Sequence, residues 1–323
     1  MEFSHTPVLL NEVLENLSIK PNGIYVDCTL GGAGHSSKIL KKLEKGLLVG
    51  FDKDQDAIDA STARLSKLCK VLSKNNFKHV NEKSCLIIKD DFKNSPSVLN
   101  ELNITQIDGI LIDLGVSSHQ LDTAERGFSF KKEAPLDMRM DTSQSLTAKE
   151  IVNTYSEEEL RNLFKEYGEE EYAFSIAKNI VKSRANKEIE TTLELNEIVE
   201  YSMPKKVVFS RGGAAKKVFQ ALRIEVNGEL NLLKETIENL IKLLKPGGRI
   251  AIISFHSLED RIVKNVFKNL AQGCICPKNF PVCVCNHKAT IEIVTRKPIV
   301  ASEIEQQENS RSTCAKLRVA EKL

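Results

Sequence analysis

The chain has 323 residues and a mass of 36.1 kDa, more than one average domain and within reach of one large α/β domain carrying an insertion. Hydrophobic residues make up 41% and charged residues 28%, and no apolar run approaches the roughly 18 residues needed to cross a bilayer, which argues against membrane-spanning and disordered classes. The 46 basic against 44 acidic side chains leave +2, which by itself points to no polyanionic partner.

The opening residues, Met1 to Pro7, show neither a basic segment nor a small-residue cleavage site, so a cytoplasmic location is expected. Gly23 to Leu30 is a short β-rich run ending in Gly31-Gly32-Ala33-Gly34-His35-Ser36, after which Ile39, Leu40 and Leu43 recur at helical spacing. A second strand, Leu47 to Phe51, stops at Asp52-Lys53-Asp54 and precedes a helix carrying Ala57, Ile58, Ala60, Ala63, Leu65 and Leu68. Residues 70–84, rich in Lys and Asn, read as a surface insertion. A third apolar run, Cys85 to Ile88, ends at Lys89-Asp90-Asp91-Phe92, and a fourth, Ile107 to Ile112, ends at Asp113-Leu114-Gly115. Near-continuous apolar strands separated by helices indicate a parallel sheet covered on both faces.

From Asp122 to Gly213 the alternation gives way to helical patterns (148–153, 156–167, 170–185 and 192–201) without a strand, so an inserted helical domain is expected there. Residues 122–215 carry 14 basic and 18 acidic side chains, whereas Met203 to Arg223 holds Lys205, Lys206, Arg211, Lys216, Lys217 and Arg223 with no acid. That stretch is either a solvated helix face or a nucleic-acid contact. Helices over 215–224 and 229–244, a turn at Lys245-Pro246-Gly247-Gly248 and a fifth strand, Arg249 to Ser254, resume the α/β pattern. Two last runs, Thr290 to Thr295 and Ala315 to Val319, suit an antiparallel pair at one edge. The expected organisation is an α/β domain over 1–121 and 214–323 interrupted by a helical insertion over 122–213.

Open α/β sheets bind ligands in the crevice at the carboxyl ends of their strands, so the strand ends carry the candidate site. Gly31, Gly32 and Gly34 let the backbone turn tightly and approach a ligand closely. Asp52 ends the second strand about twenty residues later, where a carboxylate can accept both hydroxyl protons of a ribose. The alternative for this pair is a glycine turn packing helix on sheet, with Asp52 a polar cap. A nicotinamide or flavin nucleotide and S-adenosylmethionine both use such a loop. Ser37 stands where a dinucleotide fingerprint has its third glycine, and no phosphate-cradling Gly-x-x-x-x-Gly-Lys-Ser/Thr run exists. Pro246-Gly247-Gly248 before the fifth strand and the C-terminal β pair resemble the methyltransferase version of the fold, which favours S-adenosylmethionine.

At the fourth strand, Asp113-Leu114-Gly115-Val116-Ser117-Ser118-His119-Gln120 supplies a carboxylate, two hydroxyls and an amide, although Ser117 or Ser118 equally suits a helix cap. Arg126-Gly127-Phe128-Ser129-Phe130 and Pro135 to Asp141 set arginines beside apolar rings, a pattern suited to base stacking and phosphate contact, with Met138 and Met140 as core residues the alternative. The fifth strand delivers His256 within Ser254-Phe255-His256-Ser257-Leu258-Glu259-Asp260-Arg261. Of eight cysteines, Cys274, Cys276, Cys283 and Cys285 fall within twelve residues and precede His287. Four thiols there could hold zinc, but Cys-x-Cys is less usual than Cys-x-x-Cys in structural sites, so reduced thiols are expected and no metal is assigned.

These runs are similar to the bacterial small-subunit rRNA cytosine N4-methyltransferase family, the MraW or RsmH type. The matching stretches are His5 to Leu10, Gly31 to Ser36, Asp108 to Asp122, Arg126 to Phe130, Pro135 to Asp141, Phe219 to Asn227, Ile253 to Arg261, Asn309 to Ser312 and Lys316 to Arg318. The resemblance implies a class I S-adenosylmethionine-dependent methyltransferase, Rossmann-like, with a mostly parallel sheet, an antiparallel C-terminal strand pair and an inserted all-helical substrate-recognition domain. It implies methyl transfer to the exocyclic N4 of a cytosine in the ribosomal decoding centre, so the partner is 16S rRNA or the small subunit, with monomer or homodimer left open. It carries over cofactor contacts to Ala33, Gly34 and His35 in the loop, Asp52 on the ribose, Phe92 beside the adenine, and Asp113 and Gln120 near the methionine portion. Gly213-Ala214 departs from the family's usual His-Pro pair.

A cytosine amino nitrogen is a poor nucleophile because its lone pair is delocalised, so positioning and a proton acceptor must carry the reaction. Asp113 is the expected acceptor, with Ser117 or His256 as helpers. The Asp/Asn-Pro-Pro-Tyr/Phe motif of other amino methyltransferases is absent. A methyltransferase on DNA or protein, a dinucleotide-binding oxidoreductase and a non-catalytic RNA-binding module are the rival readings.

Overall fold

A computed structural model describes residues 7–74, 77, 82–211, 213–274, 276, 282, 284, 285 and 287–323. His5 and Thr6 of the first matching stretch, Cys283 of the thiol cluster and part of the 70–84 segment lie outside the described residues. The chain divides into two compact units, Met1–Gly115 with Leu232–Leu323, and Val116–Asn231.

The first unit is an eight-stranded sheet built from β1 (Ile24–Asp27), β2 (Leu47–Asp52), β3 (Lys70–Leu72), β4 (Ser84–Lys89), β5 (Ile107–Asp113), β6 (Leu244–Ser254), β7 (Ile291–Ile293) and β8 (Lys316–Lys322). Their spatial order is β3-β4-β2-β1-β5-β6-β8-β7, parallel from β3 to β6, with β8 antiparallel to both of its neighbours. This is the mostly parallel sheet with an antiparallel C-terminal pair that the class I methyltransferase fold requires. Ile107 to Ile112 are buried throughout, as a strand covered on both faces must be. The helix Leu233–Lys242 buries Leu233, Ile237, Leu240 and Ile241 on one stripe. Asp54 caps the helix Gln55–Leu65 by accepting from Asp56 N–H.

The structure differs from expectation in three places of this unit. Residues 70–72 are an edge strand paired with β4, not a surface insertion, and the short length of the run hid it. The 245–248 turn is an irregularity inside β6, where the partner of β5 jumps from Leu244 to Arg249. A seven-residue helix, Leu10–Asn16, was not foreseen; Glu305 Oε1 accepts its cap N–H from Leu9 at 2.7 Å, a partner distant in sequence.

The second unit is helical: Ala148–Thr154, Glu157–Glu166, Ala173–Arg184, Thr192–Tyr201, Lys205–Arg211 and Lys216–Asn227. Reciprocal capping boxes at Thr147/Glu150, Ser156/Glu159 and Thr191/Glu194 start three of them. Its core joins Ile151, Leu160, Phe164, Ile176, Ile180, Leu195 and Leu222. The unit runs over 116–231 where 122–213 was expected, because the apolar face of Lys216–Asn227 (Val218, Phe219, Leu222) packs into this core. Phe164 is fully buried, so Phe164→Ala is expected to lower the unfolding free energy by about 3–5 kcal/mol in denaturant titration. A loss below about 1 kcal/mol would place the ring outside the core.

The arginine runs of this unit make bonds within the fold. Arg126 is buried and donates to the carbonyls of Arg139 and Met140 at 3.0 Å. Arg139 grips Asp137 through Nε and Nη2 at 2.8 and 2.7 Å and caps the carbonyls of Thr142 and Gln144. Within Phe219 to Asn227, Gln220 donates to Tyr167 O, Glu225 accepts from the Tyr155 hydroxyl, and Asn227 joins Met138 O to Met140 N. Arg223 binds both oxygens of Glu229 at 2.9 and 2.8 Å. Buried polar groups need such partners, and here they hold an irregular segment whose Phe128, Leu136 and Met138 join the helical core.

Candidate active site

The carboxyl ends of β1, β2, β4 and β5 converge as the parallel register dictates: Asp27 pairs with Gly50 and Leu111, and Asp52 with Lys89. After β1 the chain turns through Leu30 to Gly34 into the helix Gly34–Lys42. Gly31 has φ +50°, and no other atom lies within 4 Å of the place where a Cβ would sit, so this side of the loop is open. Ala33, at φ 56°, holds the left-handed cap of the helix, with its methyl buried. Asp52 pins this loop: its Oδ2 accepts from Gly31 N–H at 2.7 Å and its Oδ1 from Asp54 N–H at 2.9 Å. Burial pushes the Asp52 carboxyl up to about 6, against the pull of those two N–H donors. Phe92 follows β4 in a short 3₁₀ turn capped by Asp91 and is half-buried.

Asp113 ends β5 with 24% of its side chain exposed. Its backbone N–H bonds to Thr29 Oγ1 at 2.6 Å, which ties the end of β5 to the start of the glycine loop. Desolvation pushes its carboxyl up to about 7; Gly115 N–H works against this, and the negative charge of Glu259 adds to it. His35 Nδ1 stands 4.0 Å from Asp113 Oδ2, while its Nε2 lies 3.0 Å from Val8 O. Nε2–H donation to that carbonyl leaves Nδ1 as the lone-pair nitrogen facing Asp113, and burial lowers the His35 pKa, which favours the neutral ring. A Cβ on Gly115 would lie 2.7 Å from the Phe255 ring, so a larger residue where the chain leaves β5 requires that ring to move.

Two expected helpers also act as helix caps. Ser117 Oγ accepts from Gln120 N–H at 3.2 Å and Gln120 Oε1 from Ser117 N–H at 2.9 Å, a capping box of the helix Ser118–Asp122 in the second unit. His256 caps the helix Ser257–Leu270, and its Nε2 lies 2.9 Å from Glu259 Oε1 but off the line of a ring N–H hydrogen bond. The Asp260 carboxylate of the same run pairs with Arg318 at 2.6 Å, joining two of the matching stretches across helix and β8. Asp27 was missed. It is buried, accepts from Ser36 Oγ at 2.6 Å and from Thr29 N–H at 3.2 Å, and burial raises its pKa. Its place at the end of the first apolar strand, in line with Asp52 and Asp113, was the available signal.

Three carboxyls with raised pKa values therefore gather at one sheet edge. Asp52 and Asp113, both partly exposed, gain from a cationic or hydroxyl-bearing ligand, and the open glycine turn admits backbone contact; this acceptor set fits a sulfonium nucleoside carrying an α-amino group.

The chain matches the MraW methylase family over residues 2–323. It is 52% identical over 324 residues to the "Ribosomal RNA small subunit methyltransferase H" of Clostridioides difficile, with 100% of both chains covered. Proteins of the same name from Finegoldia magna and Halothermothrix orenii are each 51% identical, covering 100% and 99% of this chain and 100% and 98% of the relative. Likeness at this level over the full length, on a sheet of this order, means that the chain belongs to the MraW methylase family.

Proposed function

We propose that this methyltransferase, with S-adenosylmethionine as donor, methylates the exocyclic N4 of a cytosine in the decoding centre of 16S rRNA, and does so in the cytoplasm. The RNA reading rests on the names of its relatives. The observation that carries the chemistry is the Asp113 carboxyl, raised to about 7 and partly open at the strand end.

In this reading the loop of Ala33, Gly34 and His35 cradles the donor, Asp52 accepts from the ribose hydroxyls and Phe92 packs on the adenine. Asp113 and Gln120 serve the methionine portion. When bound, S-adenosylmethionine supplies an electrophilic methyl group. Asp113 accepts one N4 proton as the N–C bond forms and the S–C bond breaks, which localises the nitrogen lone pair at the moment it is needed. A carboxyl near pKa 7 is matched to that task at neutral pH. His35 and Thr29 are positioning residues, the first presenting a neutral nitrogen and the second holding the Asp113 backbone. The helical unit offers exposed Tyr201 (83%) and Phe209 (84%) near Lys205 and Lys206, side chains suited to stacking on unpaired bases and neutralising phosphates.

The test is mass analysis of rRNA nucleosides from a strain lacking the gene, with purified protein then added to its small subunits and to its free 16S rRNA. Base-methylated N4-cytidine is expected to be missing and to return with the protein. An unchanged nucleoside profile in the deletion strain, or a methyl group returning to another base, overturns the reading.

A further inference from the structure

We propose that Cys274, Cys276 and Cys285 bind a structural zinc ion. They lie in the 271–289 excursion between the helix Ser257–Leu270 and β7. Thr290 N–H and its hydroxyl both reach Leu270 O, at 2.9 and 3.4 Å, so this excursion leaves and rejoins the fold at one point. Among its described residues there is no helix or strand, and Val282 and Val284 are 70% and 67% exposed. With these described valines exposed, a metal clip is one of the few devices that close a loop of this length.

The sulfurs give that device a geometry. All three Sγ atoms lie within 4.8 Å of one another, and Cys274 Sγ stands 3.8 Å from Cys285 Sγ. Tetrahedral zinc with Zn–S bonds of about 2.3 Å separates its sulfurs by roughly 3.8 Å. Cys276 Sγ also accepts the Val284 N–H at 3.4 Å, the kind of backbone donor that stabilises a metal-bound thiolate. Soft thiolate ligands select zinc over magnesium or calcium. The fourth position is open to a further donor, since the described His287 lies outside the group of mutually close ligand atoms. Local spacing had favoured reduced thiols without metal; the tertiary fold brings three of them to coordinating distance.

The experiment is metal analysis of the full chain, purified without a histidine tag under reducing conditions and reconstituted with zinc. About one zinc per chain is expected, falling below about a tenth in Cys274→Ser and in Cys285→Ser but unchanged in Cys69→Ser, whose thiol lies far along the chain. Cobalt in place of zinc should give thiolate-to-metal charge-transfer absorption. Chelator should speed proteolytic cleavage within 271–289 by about tenfold while circular dichroism of the sheet and helices is unchanged. The proposal is overturned if the wild-type chain takes up no metal, if the Cys274→Ser/Cys276→Ser/Cys285→Ser triple variant keeps it, or if mass spectrometry finds Cys274 and Cys285 joined as a disulfide.

Discussion

Asp113→Asn is expected to lower kcat by about 10²–10⁴-fold and, because this carboxylate also serves the methionine portion, to weaken S-adenosylhomocysteine binding by no more than about tenfold. The amide keeps the shape of the carboxyl and removes its capacity to take a proton. The wild-type kcat/KM should rise with pH through about 7 and then level, since the free enzyme needs the ionised form. The variant should lose that limb. With a cationic donor bound, the corresponding limb of kcat should move to lower pH, because the positive charge favours the carboxylate.

Stability should move the other way. Asp113 has a folded-state pKa raised above its usual carboxylate value, so the protonated form favours the folded state. That contribution is complete at acid pH, below the unfolded value, and is lost as pH rises through about 7. Asp113→Asn should therefore be more stable than the wild type at pH 8 by roughly 2–4 kcal/mol and equal to it near pH 3. Gain of stability with loss of rate is the signature of a group held for chemistry. A variant that methylates at the wild-type rate would remove Asp113 as the proton acceptor.

Asp52→Ala is expected to weaken S-adenosylhomocysteine binding by about 10–100-fold, read by calorimetry, with the unfolding midpoint shifted far less than by Phe164→Ala. The carboxylate acts twice, holding Gly31 N–H at 2.7 Å and presenting oxygen lone pairs toward the open turn. Asp52→Asn should be nearly as damaging. Each oxygen already accepts from a backbone N–H, so an amide must turn its NH₂ group against either Gly31 or Asp54. Wild-type affinity should decline as pH falls below about 6, where the carboxyl protonates. Unchanged affinity in both variants would dismiss Asp52 as the ribose acceptor.

The order of the apolar runs, the glycine turn and the carboxylates Asp52 and Asp113 at their strand ends were legible in the sequence. Strand alternation, helical periodicity and turn chemistry are local, and a parallel sheet brings the carboxyl ends of its strands to one edge by construction. The edge strand Lys70–Leu72 was not, because three residues carry too short a pattern.

Which polar side chains also serve the local fold was decided by the tertiary structure alone. Ser117, Gln120 and His256 are caps, and Arg126, Arg139 and Arg223 are internal ties, because the partners of each depend on backbone angles and on neighbours that the linear pattern does not specify. The raised carboxyls of Asp27, Asp52 and Asp113 arise from desolvation, a property of the packed sheet edge and not of any residue by itself. The three sulfurs at 274, 276 and 285 meet for the same reason: spacing along the chain sets which ligands are near in sequence, and only the closed loop sets the distance between them.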